Sequence, residues 1–448
     1  MESHLGCAGS CTVPGLNIPS HYGTALIAFK LNLRVSLVVF LALAVSLPIA
    51  LVSLAKALLF ITALFYLLKD LVFKRPPVYL APLHTSHVIL LAMMLWGVSL
   101  LWTGANLEDA LTALVKHGKL VMIPILVYML RTRRDAQWAT AALLTGQVLT
   151  LLSSWLMAFD IPLAWVMRAS GPADPLTQFV PYADSYLDQS IMLATTAGVV
   201  WHLGRRHPSL GTWSKWLAFA GLANVLVLMP GRTGYLLAIV ATCLAALFEI
   251  PAKLRPVAAI VIPLLLGLAL FYALPQFQHR VGQAAQELES YTTAPDVHSS
   301  VGARLNMWKL SLQAIANKPL TGYGIGNWTP VIKRLYGEQG NALFGTGNGS
   351  NPHQELLLWT VELGVVGALL FLGLLYALFL DTKAFDPPTR RASRSLAVML
   401  FITCIFNSPL YDDLMGDYFC VALGVLLALG LQDNRARTNP QFGSFVSV

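Results

Sequence analysis

The chain has 448 residues, of which 56% are hydrophobic and 12% charged, with a mean hydropathy of +0.64. Globular domains carry about 25% charged residues, so an assembly of soluble domains is excluded and a single all-α polytopic membrane domain is expected. The formal net charge of +8 leaves nucleic acid open as a partner until the cations are located along the chain, because cytoplasmic loops also gather Lys and Arg.

Residues 1–30 mix Gly, Pro, Ser and His without helical periodicity. They are expected to be a cytoplasmic leader, since they lack the basic-then-apolar layout of a cleaved signal peptide. The apolar run Leu33–Val72 is too long for one span and carries Pro48 near its middle, so two short helices are expected. Further spans are expected near 86–102, 110–130, 137–157, 188–204, 213–229, 234–250 and 256–274. The run 110–130 holds Lys116, His117 and Lys119 and is the least regular of them. Residues 31–274 thus hold nine spans, and runs at 354–380, 395–409 and 415–431 bring the total to about twelve. Residues 432–448 form a tail. Cys243, Cys404 and Cys420 fall inside apolar runs, where cysteine serves as a small hydrophobe. Cys7 and Cys11 lack partners at metal-ligand spacing.

Counting the connections alternately places the cations on one side. Lys30, Arg34, Lys69, Lys74, Arg75, Arg131, Arg133, Arg134, Arg205, Arg206, Lys215, Lys253 and Arg255 fall there, with Lys383, Arg390, Arg391, Arg394, Arg435 and Arg437. The other side receives Glu108, Asp109, Asp160, Asp174, Asp184, Asp188, Asp412, Asp413 and Asp417. Positive charge marks the cytoplasmic side, so both termini are expected in the cytoplasm. The basic excess is topological, and nucleic-acid binding is disfavoured.

The long polar segment 275–353 then falls outside, as does Arg232 in the short turn Pro230-Gly231-Arg232-Thr233-Gly234. A long loop crosses whatever its charge. Arg232, in a very short loop, is therefore the sharper anomaly. Within the segment, Gln276–Ser290 is expected to form one amphipathic helix. Arg304–Asn317 forms a second, with Leu305, Trp308, Leu312 and Ile315 at helical spacing. Pro319 ends the second, and Gly322, Gly324 and Gly326 forbid regular structure beyond it. Without a preceding strand, the Gly324-x-Gly326 fragment reads as a close turn packed on the membrane domain and not as a phosphate cradle. Gly345–Gly349 is expected to be mobile.

His353 is the candidate base. It opens the tenth span beside the arginine-bearing loop, and an imidazole with an ordinary pKa near 6.5 is largely neutral at pH 7. Asn351 and Gln354 flank it as supporting polar groups. Arg232, Arg280 and Arg304 are candidate diphosphate ligands, because a guanidinium matches phosphate oxygens two at a time. Each has an alternative role in an ion pair with Glu287, Glu289 or Asp296, or with a lipid headgroup. No Asp-x-Asp pair occurs on the outer loops, so no metal site is expected. Outer aromatics (Trp155, Tyr182, Tyr186, Trp328, Tyr336, Tyr411) suit either sugar stacking or an interfacial belt.

His353-Gln354 followed nine residues later by Gly364-Val365-Val366-Gly367 resembles the signature of bacterial O-antigen ligases. Gly302-Ala303-Arg304 through Trp308, then Pro319-Leu320-Thr321-Gly322-Tyr323-Gly324-Ile325-Gly326, is similar to the wider family of ligases, O-antigen polymerases and protein O-oligosaccharyltransferases. Gly231-Arg232-Thr233-Gly234 looks like its outer-loop arginine motif. The resemblance covers most of the chain except residues 1–30 and the exact early spans. It implies a glycosyltransferase of the membrane C type with a long, partly helical periplasmic loop and no cofactor. Such an enzyme would move O-antigen from undecaprenyl diphosphate to lipid A–core oligosaccharide at the periplasmic face of the inner membrane. His353 would be the base; Arg232, Arg280 and Arg304 would hold the diphosphate; configuration would invert. A secondary transporter is the rival of another class, against which stands the lack of an internal repeat.

Overall fold

The structure is a computed structural model that describes residues 32–73, 83–166, 177–182, 185–206, 208–293, 299–337 and 351–438. The leader 1–30, the glycine-rich stretch 345–349 and the end of the tail lie outside the described residues. Leu33–Val448 forms one compact unit. Among the described residues it is helical throughout, with no strand.

The first apolar run divides at Pro48 into α1 (Leu33–Ala44) and α2 (Ile49–Val72), with Pro48 as the residue before α2. Proline is tolerated there because the first N–H groups of a helix need no intrahelical partner. α3 (His84–Ser99) follows, then α4 (Leu107–Gly118) and α5 (Met122–Met129), which are joined by a 3-10 turn over Lys119–Val121. α6 (Arg133–Ala158) opens on a capping box between Thr132 and Asp135, and α7 (Tyr186–Leu203) is capped by Ser185. α8 (Pro208–Leu228), α9 (Arg232–Leu247) and α10 (Arg255–Ala273) complete the part before the polar segment.

That segment contains α11 (Pro275–Thr293), α12 (Ser300–Asn317) and α13 (Trp328–Tyr336). α14 (Glu355–Asp381), α15 (Pro387–Phe406) and α16 (Asp413–Thr438) close the described chain. Each apolar run expected from the sequence falls on a helix. Among the described residues, six helical stretches are long and apolar enough to cross a membrane: 49–72, 107–129, 133–158, 252–273, 355–384 and 413–438. α1, α3 and α9 are shorter apolar helices.

The core is organised on α16, whose apolar window is 94% buried. It packs against α5, α6 and α15, while α7 packs against α8, α9 and α15. At the other extreme, no residue of α10 is buried. A helix that is apolar on every side and buries no residue in the protein is suited to lipid.

One tie between the polar segment and the bundle runs through a break in a helix. α14 is broken at Gly364, which has φ +64°, and residues 319–326 dock into the break. Tyr323 N–H donates to the Val361 carbonyl (2.9 Å), Gly324 N–H to the Glu362 carbonyl (2.8 Å) and Val365 N–H to the Pro319 carbonyl (2.8 Å). A Cβ on Gly364 would stand 2.3 Å from the Leu320 carbonyl oxygen, so no other residue fits. The close turn expected around Gly324 and Gly326 is therefore present.

Candidate active site

The docked loop carries α12 at one end and α13 at the other, so its attachment determines where Arg304 sits. The attachment is a buried carboxyl. Glu362 Oε1 accepts from Gly326 N–H (3.0 Å), and Oε2 accepts from Trp96 Nε1 (3.0 Å) and lies 2.8 Å from His117 Nε2. The Trp96 and His117 rings stack at 3.8 Å. Thr103 Oγ1 donates to the Ile325 carbonyl (2.7 Å), and Ile325 N–H donates to Ser99 Oγ (3.0 Å). Two of the polar residues that made the fourth apolar run irregular find partners here. His117 reaches Glu362, and Lys119 donates to the Tyr411 and Asp412 carbonyls at 3.1 and 2.6 Å.

α12 is clamped a second time. Trp308 Nε1 donates to the Pro352 carbonyl at 3.0 Å. Trp308 lies one turn beyond Arg304 on the same helical face, which sets Arg304 beside His353. His353 has φ +51°, one of two described non-glycine residues in the left-handed region. Its N–H donates to Asn351 Oδ1 (2.8 Å), while Asn351 Nδ2 donates to Asp412 Oδ1 (3.1 Å). This Asx turn holds the chain in a conformation that an L-residue adopts only under constraint. Gln354 plays a different part from the one expected, since its Oε1 accepts from Leu357 N–H (2.5 Å) and caps α14.

The electrostatics follow from these positions. Burial first, then the Arg304 charge, pulls the His353 imidazole down to about 4. The ring is therefore neutral at pH 7, with a free lone pair. Burial and neighbouring Arg232 also lower Arg304, although a guanidinium remains charged throughout. Burial pushes the Asp412 carboxyl up to about 6 against the pull of Lys119 and Lys116.

Arg232 is the first residue of α9. Its turn presses on α7 so closely that a Cβ on Gly234 would lie 2.5 Å from Ser190. The Arg232 fork grips Glu287 of α11 with two bonds of 2.5 and 3.1 Å. Glu287 Oε2 also accepts from Val301 N–H (2.9 Å), at the first turn of α12. Arg280, one helical repeat before Glu287 on α11, donates to Gln283 (3.0 Å) and adds its field to Glu287. The carboxyl is held below its ordinary range, first by the Arg232 hydrogen bonds. The structure thus brings Arg232, Arg280 and Arg304 around one carboxylate, with His353 beside Arg304.

Residues 217–372 match the family described as O-antigen ligase. This stretch of the chain is similar to that family. It runs from α8 past Gly367 in α14 and contains all three arginines and His353. The apolar helices fit a multi-pass membrane protein. No curated protein matches the chain.

Glu355, the carboxylate nearest to His353 in the sequence, is buried and engaged by other donors. Its Oε1 accepts from Trp359 Nε1 (2.9 Å) and its Oε2 from Leu410 N–H (3.1 Å). The role of Glu362 was not read from the sequence. A carboxyl two residues before a glycine that breaks an apolar helix, facing a lone histidine in another apolar run, was the available signal. Among the described residues, no three of His, Cys, Asp and Glu gather as a metal site.

Proposed function

We propose that the chain is an inverting glycosyltransferase that moves O-antigen polysaccharide from undecaprenyl diphosphate to a hydroxyl of lipid A–core oligosaccharide. About twelve spans place both termini in the cytoplasm and the 275–353 loop at the periplasmic face of the inner membrane. The observation that carries this reading is the gathering of three guanidiniums around one anion, with a neutral imidazole alongside. The family match over the same residues gives the class of transfer.

In this reaction His353 takes the proton of the acceptor hydroxyl as the oxygen attacks the anomeric carbon. The bond from that carbon to the diphosphate oxygen breaks on the opposite face. The electron pair stays on the diphosphate, whose charge is neutralised by Arg232, Arg280 and Arg304. Burial first, and then the Arg304 charge, leaves His353 with little basicity. A bound diphosphate offsets that charge, so the base strengthens as the donor arrives. The polyprenyl diphosphate bond supplies the driving force, and no nucleotide or metal enters this scheme.

The test offers one undecaprenyl-diphosphate-linked donor to the purified chain in excess EDTA, with lipid A–core, free O-units or a pilin-like protein as acceptor. Transfer to lipid A–core alone supports the ligase reading. Elongation of O-units or modification of the protein would assign the chain to another activity of the family.

A further inference from the structure

The carboxylate at the centre of the arginine cluster has no place in the chemistry just described, and it occupies the position that the donor needs. Glu287 takes both arms of the Arg232 fork and an N–H of the first turn of α12. Those are the donors that suit a phosphate oxygen. Arg280 and Arg304 act on it as well. Arg304 makes no hydrogen bond or ion pair of its own among the described residues. One negative charge therefore sits among three positive ones. The Arg232 and Glu287 side chains are 27% and 22% exposed, so the pair is reachable from solvent. No residue of α11 is buried, so the helix bearing Glu287 is not locked into the core.

We propose that Glu287 is an internal placeholder for the diphosphate, displaced when the donor binds and returned when the spent diphosphate carrier leaves. This rests on the diphosphate role given to Arg232 above. Displacement requires only rotation of the glutamate side chain, which has three free torsions. The exchange also sets a threshold of charge. A diphosphate brings two phosphoryl groups to three guanidiniums and outcompetes a single carboxylate. A monophosphate, such as a phospholipid headgroup or inorganic phosphate, brings one group and gains little over the carboxylate it must expel. Glu287 thus makes the site selective for diphosphates at a surface crowded with phosphomonoesters and phosphodiesters. It also eases release of the product, which keeps both phosphoryl groups.

The test measures binding of inorganic pyrophosphate and of orthophosphate to the purified full-length chain by titration calorimetry. Glu287→Gln keeps the side-chain shape and an oxygen acceptor for the Val301 N–H, so α11 and α12 retain their junction. Wild type should bind pyrophosphate in clear preference to orthophosphate. Glu287→Gln should bind pyrophosphate about tenfold tighter, as expected when a competing half-buried bidentate pair is removed. Its gain for orthophosphate should be at least as large, so the preference narrows. Pyrophosphate binding that is unchanged or weaker in Glu287→Gln would show a structural ion pair and overturn the proposal. Pyrophosphate binding unaffected by Arg232→Ala in either background would instead remove Arg232 from the diphosphate site, and the placeholder with it.

Discussion

At the scale of single residues, His353 combines a strained backbone with a neutral ring. The left-handed conformation costs a non-glycine residue about 1–2 kcal/mol. His353→Gly should therefore leave the thermal unfolding midpoint in detergent unchanged or raise stability by about 1 kcal/mol, while transfer is lost. A variant that unfolds early would make the histidine structural. The depressed pKa of about 4 sets the acid limb. The imidazole must be neutral to accept a proton, so kcat/KM should hold as pH falls through 6.5 and drop only near 4. Arg304→Gln removes the charge that repels the proton and should move that limb upward. Arg304→Lys should also lose much of the activity in a folded protein, because an ammonium lacks the bidentate fork. His353, Arg232 and Arg304 were legible in the sequence through short motifs. The Arg232 partner Glu287 appeared there only as one of several carboxylates, because no sequence pattern says that the α11 face meets the α9 turn.

At the scale of elements, the glycines after His353 shape the helix and do not touch the chemistry. Gly364 breaks α14 so that residues 319–326 can dock, and Glu362 pins that loop from within. Gly364→Ala brings a methyl group onto the Leu320 carbonyl and forces a strained φ. It should cost about 2 kcal/mol or more in unfolding measurements and reduce transfer, because Arg304 loses its support. Glu362→Ala leaves Trp96, His117 and the Gly326 N–H without their acceptor in a buried place. A loss of about 3 kcal/mol or more is expected, and a variant as stable as wild type would contradict this pinning role. The two helices expected in the polar segment are present, with Ser299 starting α12 a turn earlier than Arg304. α13 follows Gly322, Gly324 and Gly326, beyond which no regular structure was expected, and it accommodates Pro330. The proline lies in the first turn, where a missing N–H costs nothing, while Trp328, Val331 and Ile332 bury one face.

For the whole molecule, periodicity located the helices well, because apolar runs bounded by Pro, Gly and charge leave few alternatives. The packing order was not legible. Nothing in the apolar runs distinguishes α16, almost wholly enclosed, from α10, which buries no residue. Sidedness rests on the Lys and Arg distribution. In a background with Cys7 and Cys11 replaced by serine, Ser300→Cys should react with an impermeant thiol reagent in intact spheroplasts. Labelling only after lysis would put α12 and Arg304 on the wrong side for a periplasmic transfer.

The central claim is that a neutral imidazole beside three arginines removes the acceptor proton. The single-turnover rate of polysaccharide transfer to lipid A–core, by folded His353→Ala against wild type, tests it most directly. A positioned base contributes about 10²–10⁴-fold, so the account predicts a loss of that size with donor binding retained. A His353→Ala rate within a few-fold of wild type would contradict it.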